Sequence, residues 1–202
     1  MSNRRIAVLI DGGFFLKRLP RLVLPGRCDG ASGIAKCITE LCRNHIRKLT
    51  GDEGSRWIQH LYRTFFYDAL PYDGTAHHPI ENRLIQFGKS DLAGQRLALF
   101  ETLRKQRKLA LRLGKVTRQG SEWSIDPRLV AGDSDFVPAA KLARREGIDF
   151  ILDPLWQDVN DDLHEHIDGL QSGLPKPTNT PTVAAASAPL VPTTDPEQAN
   201  GP

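Results

Sequence analysis

Two aspartates separated by a single serine, Asp133 and Asp135, follow a short apolar run in the stretch LVAGDSDFVPAAKLARREG, residues 129–147. Asp133 or Ser134 could cap the helix that this stretch predicts, because both residue types accept hydrogen bonds from the first N–H groups of a helix. Two carboxylates so close together could also supply ligands for a metal ion. The choice depends on whether acids from elsewhere in the chain reach the same place.

Two further aspartates stand where predicted strands end. Asp11 follows the apolar run RIAVLI, and Asp68 lies near the end of the aromatic segment HLYRTFFYDA. Each could be a turn residue, since turn-forming sequences follow both. If the two runs are parallel strands of one sheet, their carboxyl ends share an edge, where ligands of such sheets bind. Aspartates gathered there would repel one another unless a cation lay between them, and Mg²⁺ or Mn²⁺ suits an oxygen-only site.

A basic stretch between Arg96 and Arg118 indicates a second kind of chemistry. Glu101 is its only acidic residue. Positive charge at this density could hold a phosphate backbone, although a solvated helix face would have the same composition. The residues predicted to make such contacts are Arg104, Lys105, Arg107, Lys108, Arg112 and Lys115.

The elements that would position these residues alternate between strand and helix, which favours an α/β domain with a mainly parallel sheet. Strands are predicted at 5–10 (buried on both faces), 60–69, 109–116, 122–125, 128–131 and 148–152, with an antiparallel hairpin around the RQG turn and a loop at 74–79. Helices are predicted at 34–49, 94–108, from Asp135 to about 146, and 159–170, with Gly51 and Gly147 as stops. In the second helix the expected inner face consists of Ala93, Leu97, Phe100 and Leu103.

Composition limits the class of protein. The chain has 202 residues, enough for one ordinary domain, and a formal net charge of +3, too small to indicate a nucleic-acid partner alone. We expect a domain at 1–172 and a disordered tail rich in proline, threonine and alanine at 173–202. No apolar run is long enough to span a membrane, so a cytoplasmic protein is expected, with Cys37 and Cys42 as buried free thiols.

Several stretches together resemble the NYN domain, a PIN-like family similar to LabA-type domains and to metal-dependent ribonucleases. They are RIAVLIDGGFF, LYRTFFYDALPYDG, ALRLGKV and LVAGDSDFVPAAKLARREGIDFILDPL, and the resemblance covers about residues 4–170. It implies a PIN-like three-layer α/β/α domain, a site for Mg²⁺ or Mn²⁺, and RNA as substrate. By this resemblance Asp11, Asp133 and Asp135 are the candidate metal ligands and catalytic residues, with Asp68 and Ser134 as secondary candidates, and the basic residues become RNA-binding candidates.

The chain departs from the family pattern before the GDSDF motif. NYN domains usually carry a segment resembling Lys-Gly-Val-Asp and a helix there, whereas here Asp126-Pro127 leads straight into RLVAGDSDF. Six residues between Asp126 and Asp133 are too few for a parallel crossover, which needs about a dozen. We therefore expect a core lacking one of its usual helices and one acidic ligand.

Three functions follow as hypotheses. The first is a metal-dependent ribonuclease that hydrolyses RNA phosphodiesters at the aspartate cluster. The second is an RNA-binding or regulatory NYN protein with weak or no catalysis, which the missing segment favours. The third is a phosphatase of the haloacid-dehalogenase type, which needs an acid two residues after the nucleophile, where this chain has Gly13.

Overall fold

The structure is a computed structural model that describes residues 5–51, 54, 56–77, 83–119, 122–125 and 136–177, with 117–119 and 122–125 described by their backbone. The first half contains β1 (Ile6–Asp11), α1 (Gly12–Leu22), α2 (Gly30–Thr50), α3 (Trp57–His60), β2 (Leu61–Leu70), β3 (Thr75–His77) and β4 (Leu84–Gln86). The second half contains α4 (Asp91–Arg104), β5 (Leu109–Gln119), β6 (Glu122–Ile125), α5 (Val137–Arg145), β7 (Ile151–Leu152), α6 (Asp161–His164) and β8 (Gly169–Leu170).

The described part of the main sheet has the strand order β1-β2-β5-β6. β1 pairs with β2 in parallel, β2 pairs with β5 in parallel, and β5 and β6 form an antiparallel hairpin. The predictions of a mixed α/β fold, of a mainly parallel sheet and of a hairpin around the RQG turn are thereby confirmed. Helices connect the strands of each parallel pair, because a chain must cross the full length of the sheet before it can start a parallel neighbour.

One core joins the helices α1, α2 and α4 to the sheet. It contains side chains from every one of these elements, among them Phe15, Ile38, Phe66, Phe100 and Leu103, each at most 1% exposed. Cys37 and Cys42 belong to the same core as free thiols, as predicted. Burial raises the pKa of the Cys42 thiol to about 11, which keeps it protonated and unreactive at neutral pH.

Several sequence predictions are wrong in detail. β1 is not buried on both faces, because Ile10 is 5% exposed and its neighbour Leu9 is 46% exposed. On α4 most of the expected inner face is buried, but Leu97 is exposed and Leu99 is buried in its place. Within the predicted loop at 74–79, residues 75–77 form β3, which pairs with β4 in a small antiparallel ribbon.

The predicted helix at 159–170 is also wrong. The helix α6 is only four residues long, and the chain then turns into β8, which pairs with β7 in parallel. Asp168 starts this pairing, because its Oδ2 accepts a hydrogen bond from the Phe150 N–H (2.7 Å) while its own N–H donates to the Phe150 carbonyl (2.8 Å). The strand predicted at 148–152 is correspondingly shortened to β7.

The chain packs beyond the expected domain boundary at 172. Leu174 is 4% exposed and belongs to the main core, and Asn44 on α2 donates to the Gly173 carbonyl (2.8 Å). The rest of the predicted tail, residues 178–202, and the strand predicted at 128–131 lie outside the described residues. Among the helices that are described, none combines the length and the apolar character needed to cross a membrane.

Candidate functional site

Asp11 occupies the junction between the first strand and the first helix. It is the N-cap of α1, and its Oδ1 accepts a hydrogen bond from the Phe14 N–H at 3.0 Å. The carboxylate is thereby held at the positive end of the α1 dipole, where negative charge is favoured. Capping and a role in a site are compatible, because a carboxylate has more acceptor positions than one N–H group occupies.

Asp68 lies beside this junction on the neighbouring strand. Asp11 is in register with Tyr67 across the parallel β1–β2 pair, so the next residue, Asp68, falls at the same carboxyl edge. A Cβ atom added to Gly12 would stand 2.8 Å from Asp68 Oδ2 and 2.6 Å from the Phe66 ring, which shows how closely α1 approaches Asp68. The expectation that these two acids share an edge is therefore met.

Both oxygens of Asp68 already have partners. Its Oδ1 accepts from the Ala69 N–H at 2.8 Å, and its Oδ2 accepts from Nη1 of Arg96 in an ion pair whose acid side chain is only 12% exposed. Burial raises the pKa of the Asp68 carboxyl above its ordinary value. Arg96 and the Ala69 N–H lower this pKa, while the Asp11 carboxylate raises it, so the two acids repel each other electrostatically.

Arg96 is the site residue that sequence reasoning missed. The sequence pattern groups it with the other basic residues, yet the structure separates it from them and aims it at Asp68. Its position in α4 carries a signal, because Ala93 precedes it by three residues and Phe100 follows by four, and both are buried. A cation on the apolar stripe of a helix needs an acidic partner, and Asp68 is that partner.

The remaining predicted ligands, Asp133 and Asp135, and the secondary candidate Ser134 lie outside the described residues, as does Asp126. Within the part of the chain that is described, no group of three or more His, Cys, Asp or Glu side chains is arranged to hold a metal ion. The described half of the candidate site therefore consists of Asp11, Asp68 and Arg96 at the carboxyl edge of the sheet.

The basic stretch does not form one patch with Arg96. Helix α4 runs back from the carboxyl edge to the amino edge of the sheet, because it connects two parallel strands. Its C-terminal end and the following turn therefore place Arg104, Lys105, Arg107 and Lys108 at the edge opposite Asp68. Residues that are neighbours in sequence are thus separated by the length of a strand.

The cations at the amino edge also have structural roles. Lys108 Nζ donates to the carbonyls of Ile58 (2.7 Å) and Leu61, which fixes the start of β2. Arg104 forms an exposed ion pair with Glu101, a kind of pair that contributes little stability. The guanidinium of Arg104 is therefore easily diverted to another anion, whereas the ammonium of Lys108 is held in place.

The last two cations of the predicted RNA-binding set lie on β5. Arg112 lies over the ring of Phe65, 5.4 Å from its centroid. Lys115 is in register with Leu70, near the carboxyl edge of the sheet. Arg112 is in register with Tyr67 and thus level with Asp11, so both residues belong to the carboxyl edge that carries Asp68.

The Arg96→Gln substitution should raise the pKa of Asp68 further, because it removes the largest influence that lowers this pKa. A buried acid with a raised pKa in the folded state contributes stability below its unfolded pKa, and loses this contribution as pH rises through its folded pKa. The variant should therefore lose more stability near pH 7 than near pH 4. Urea unfolding at several pH values and NMR titration of the Asp68 carboxyl measure both effects.

The control for this experiment is Arg104→Gln, which removes the same charge from an exposed ion pair on the same helix. It should leave the pKa of Asp68 and the pH dependence of stability unchanged. Equal pH profiles for the two variants would show that the contact between Arg96 and Asp68 is not formed in solution.

Comparisons of the chain with models of protein families, with curated proteins and with solved structures find no match.

Proposed function

We propose that this chain is a metal-dependent ribonuclease with a PIN-like three-layer domain of the NYN family, hydrolysing RNA phosphodiesters. The observation that supports the proposal is the placement of Asp11 and Asp68 on adjacent parallel strands at one carboxyl edge, close enough to repel each other. This is the edge at which open α/β sheets bind ligands. Asp133 and Asp135 complete the proposed site.

The two described acids differ in their fitness as metal ligands. Asp11 fits, because a carboxylate at a strand end is the hard oxygen donor that Mg²⁺ and Mn²⁺ prefer. Asp68 is less suited to be a direct ligand, since the guanidinium of Arg96 already balances its charge and the Ala69 N–H contacts its other oxygen. The proposal therefore assigns the metal ion to Asp11, Asp133 and Asp135. When bound, the metal would lower the pKa of a water molecule and stabilise charge on the phosphate.

The other residues at this edge orient the Asp11 carboxylate and place a positive charge beside it. The Phe14 N–H orients the Asp11 carboxylate, and Gly12 leaves the space that lets α1 approach Asp68. Asp68 holds the guanidinium of Arg96, a side chain that is 25% exposed, where a phosphate of the substrate would enter. Arginine is suited to such a role because its planar fork binds phosphate oxygens in pairs.

The basic residues at the opposite edge give the substrate a second point of attachment. Leu109 at the start of β5 and Leu113 beside Asp68 are four residues apart, or about 13 Å along the strand. A single strand of a few nucleotides is long enough to contact both edges. The proposal thus assigns cleavage to the carboxyl edge, where Arg112 and Lys115 also lie, and backbone binding to Arg104, Lys105, Arg107 and Lys108.

Calorimetric titration with Mn²⁺ tests the metal site directly. The wild type should bind the ion saturably, and Asp133→Asn should lose this binding, because the substitution removes a charged ligand while preserving side-chain shape. Far-UV circular dichroism shows whether the variant is folded. A folded wild type that binds no Mn²⁺ would contradict the proposed metal centre.

RNA binding without catalysis is the second candidate function. The ion pair between Arg96 and Asp68 favours it, because a cation already balances one of the acids at this edge. Under this alternative the protein would bind RNA tightly and leave it intact in the presence of Mg²⁺ or Mn²⁺. Incubation of end-labelled RNA with the protein, followed by gel analysis, separates the two candidates.

A further inference from the structure

A groove lies between the last turns of α2 and the C-terminal part of the described chain. It encloses about 400 Å³ and is lined by Asn44, Arg47, Lys48, Trp156, Gly173, Leu174 and Pro175. No acidic side chain is among these described lining residues. The groove therefore offers positive charge next to an aromatic ring.

Of the three cations at the groove, Lys48 donates to the Ser172 carbonyl, whereas Arg47 and Lys176 are not neutralised by acids of the described residues. Among the described residues, neither Arg47 nor Lys176 forms an ion pair, and Nε of Arg47 is buried without a hydrogen-bond partner. Arg47 is also favoured where it is by the dipole of α2, which ends at Thr50. That dipole does not explain Lys176, whose ammonium lies 5.9 Å from the centroid of the Trp156 ring.

Trp156 and the residue before it have a strained backbone conformation. Leu155 has a φ of 47° and Trp156 a φ of 64°, the left-handed region that bulky side chains rarely adopt. The strain is held in place by the Leu155 N–H, which donates to Asp153 Oδ1 (2.8 Å), and by Arg18, which donates to the Leu155 carbonyl (3.1 Å). Backbone strain of this kind is concentrated at functional sites.

The ring of Trp156 is fixed but accessible. Its Nε1 donates to the Leu174 carbonyl at 3.0 Å, while 41% of the residue remains exposed. A large exposed aromatic side chain with a fixed orientation, set between cations that no described acid neutralises, is the combination that binds single-stranded nucleic acid. The bases stack on the ring and the cations contact the phosphates.

We propose that this groove binds single-stranded RNA, with a base stacked on Trp156 and the neighbouring phosphates held by Arg47 and Lys176. The choice of RNA as the polyanion rests on the proposed function. The groove is separate from the basic residues Arg104–Lys108, because the turn that carries them contacts the first half of α2, where Gln106 Nε2 donates to the Ala35 carbonyl (3.5 Å), and the groove lies at the last turns of the same helix.

Fluorescence anisotropy with a labelled oligouridine of about ten nucleotides tests the groove. EDTA in the buffer removes divalent metal ions, so that binding is measured apart from cleavage. Trp156→Asn should weaken binding about tenfold or more, because it removes the stacking surface. Asparagine tolerates the positive φ and carries an N–H donor of its own, so this variant should remain folded.

The charge contacts are tested by Arg47→Gln and Lys176→Gln. Each should reduce the slope of log affinity against log salt concentration by about 0.7, the value expected for one lost contact to a single-strand phosphate. The matched control is Arg145→Gln, which removes the same charge from the exposed end of α5 and should leave both affinity and slope unchanged.

Three results would overturn the groove proposal: no RNA binding by the wild type in EDTA, wild-type affinity in Trp156→Asn, or equal affinity for uridine monophosphate or polyglutamate and for the oligonucleotide. These results are independent of catalysis. If RNA binds in the groove and is never cleaved, the groove proposal stands and the ribonuclease proposal falls. If Trp156→Asn binds RNA with unchanged affinity and cleaves it at the normal rate, the ribonuclease proposal stands and the groove proposal falls.

Discussion

The Asp11→Asn variant should lose RNA cleavage by at least about 100-fold while remaining as stable as the wild type. Loss of a residue that merely supports a metal ligand already costs about 10–100-fold in activity, so loss of a ligand charge should cost no less. Stability should be retained because asparagine caps a helix as well as aspartate does, and the hydrogen bond from the Phe14 N–H can form with either residue. The substitution therefore distinguishes the role of Asp11 as a helix cap from its role in RNA cleavage.

The measurement is the rate of cleavage of labelled RNA in Mn²⁺, together with the urea unfolding curve of the same preparation. Asp29→Asn is the matched control, since Asp29 is exposed, precedes α2 and makes no capping hydrogen bond through its side chain. It should cleave at the wild-type rate. Unchanged metal-dependent cleavage by Asp11→Asn would remove Asp11 from the site and would refute the proposed ribonuclease centre.

The Asp153→Ala variant should lose about 3 kcal/mol of the free energy of unfolding, the largest stability effect that we expect from a single substitution in this chain. Asp153 Oδ2 contacts His45 Nε2 (2.7 Å) and accepts from the Gly173 N–H (2.9 Å), while its Oδ1 accepts from the Leu155 N–H. Removing Asp153 leaves a ring nitrogen of His45 and the N–H groups of Gly173 and Leu155 without their acceptor, and each buried polar group left unsatisfied costs about 1–3 kcal/mol.

Thermal unfolding should show this loss as a fall in Tm of about 6–12 °C for a chain of this length. Asp158→Ala is the control, because Asp158 is an exposed acid five residues further along the same segment and should change Tm by little. If both variants melted at the wild-type temperature, the contacts between α2 and residues 153–174 would not contribute to the folded state.

Gly173 adds a steric requirement to the same contact. A Cβ atom at this position would lie 2.6 Å from His45 Nε2 and 2.8 Å from a methyl carbon of Leu41, closer than real contacts allow. The C-terminal segment can therefore reach α2 only with glycine at this position. The change in composition at residue 173 predicts that a tail starts there. The close approach of Gly173 to α2 depends on one residue and therefore leaves no trace in the composition.

The parts of the fold that are predictable are those in which local pattern and tertiary burial agree. The apolar run of β1 and the aromatic run of β2 are recognisable as strands, and the parallel arrangement that their alternation with helices implies brings Asp11 and Asp68 to one edge. Helix α1 was not predicted, because it begins with two glycines and contains Pro20, all weak helix formers. Burial of Phe15 and Leu19 outweighs these local preferences.

The errors have a common physical origin in contacts between distant residues. The acid-rich segment after Asn160 has the spacing of an amphipathic helix, but pairing of Asp168 with Phe150 ends that helix early. The ion pair between Arg96 and Asp68 joins residues 28 positions apart, so the local sequence pattern cannot predict it either. The charge of Arg96 is evident from the sequence, whereas its partner can be found only in three dimensions.

Parallel pairing also determines when during folding the candidate site can form. Leu9 pairs with Phe65 and Phe65 pairs with Ala110, so each pairing closes a loop of more than forty residues, which costs entropy before any contact is gained. The β5–β6 hairpin closes over a few residues and can form early. We therefore expect Asp11 and Asp68 to meet late on the folding pathway. A metal ion bound at their edge would slow unfolding more than it would accelerate folding.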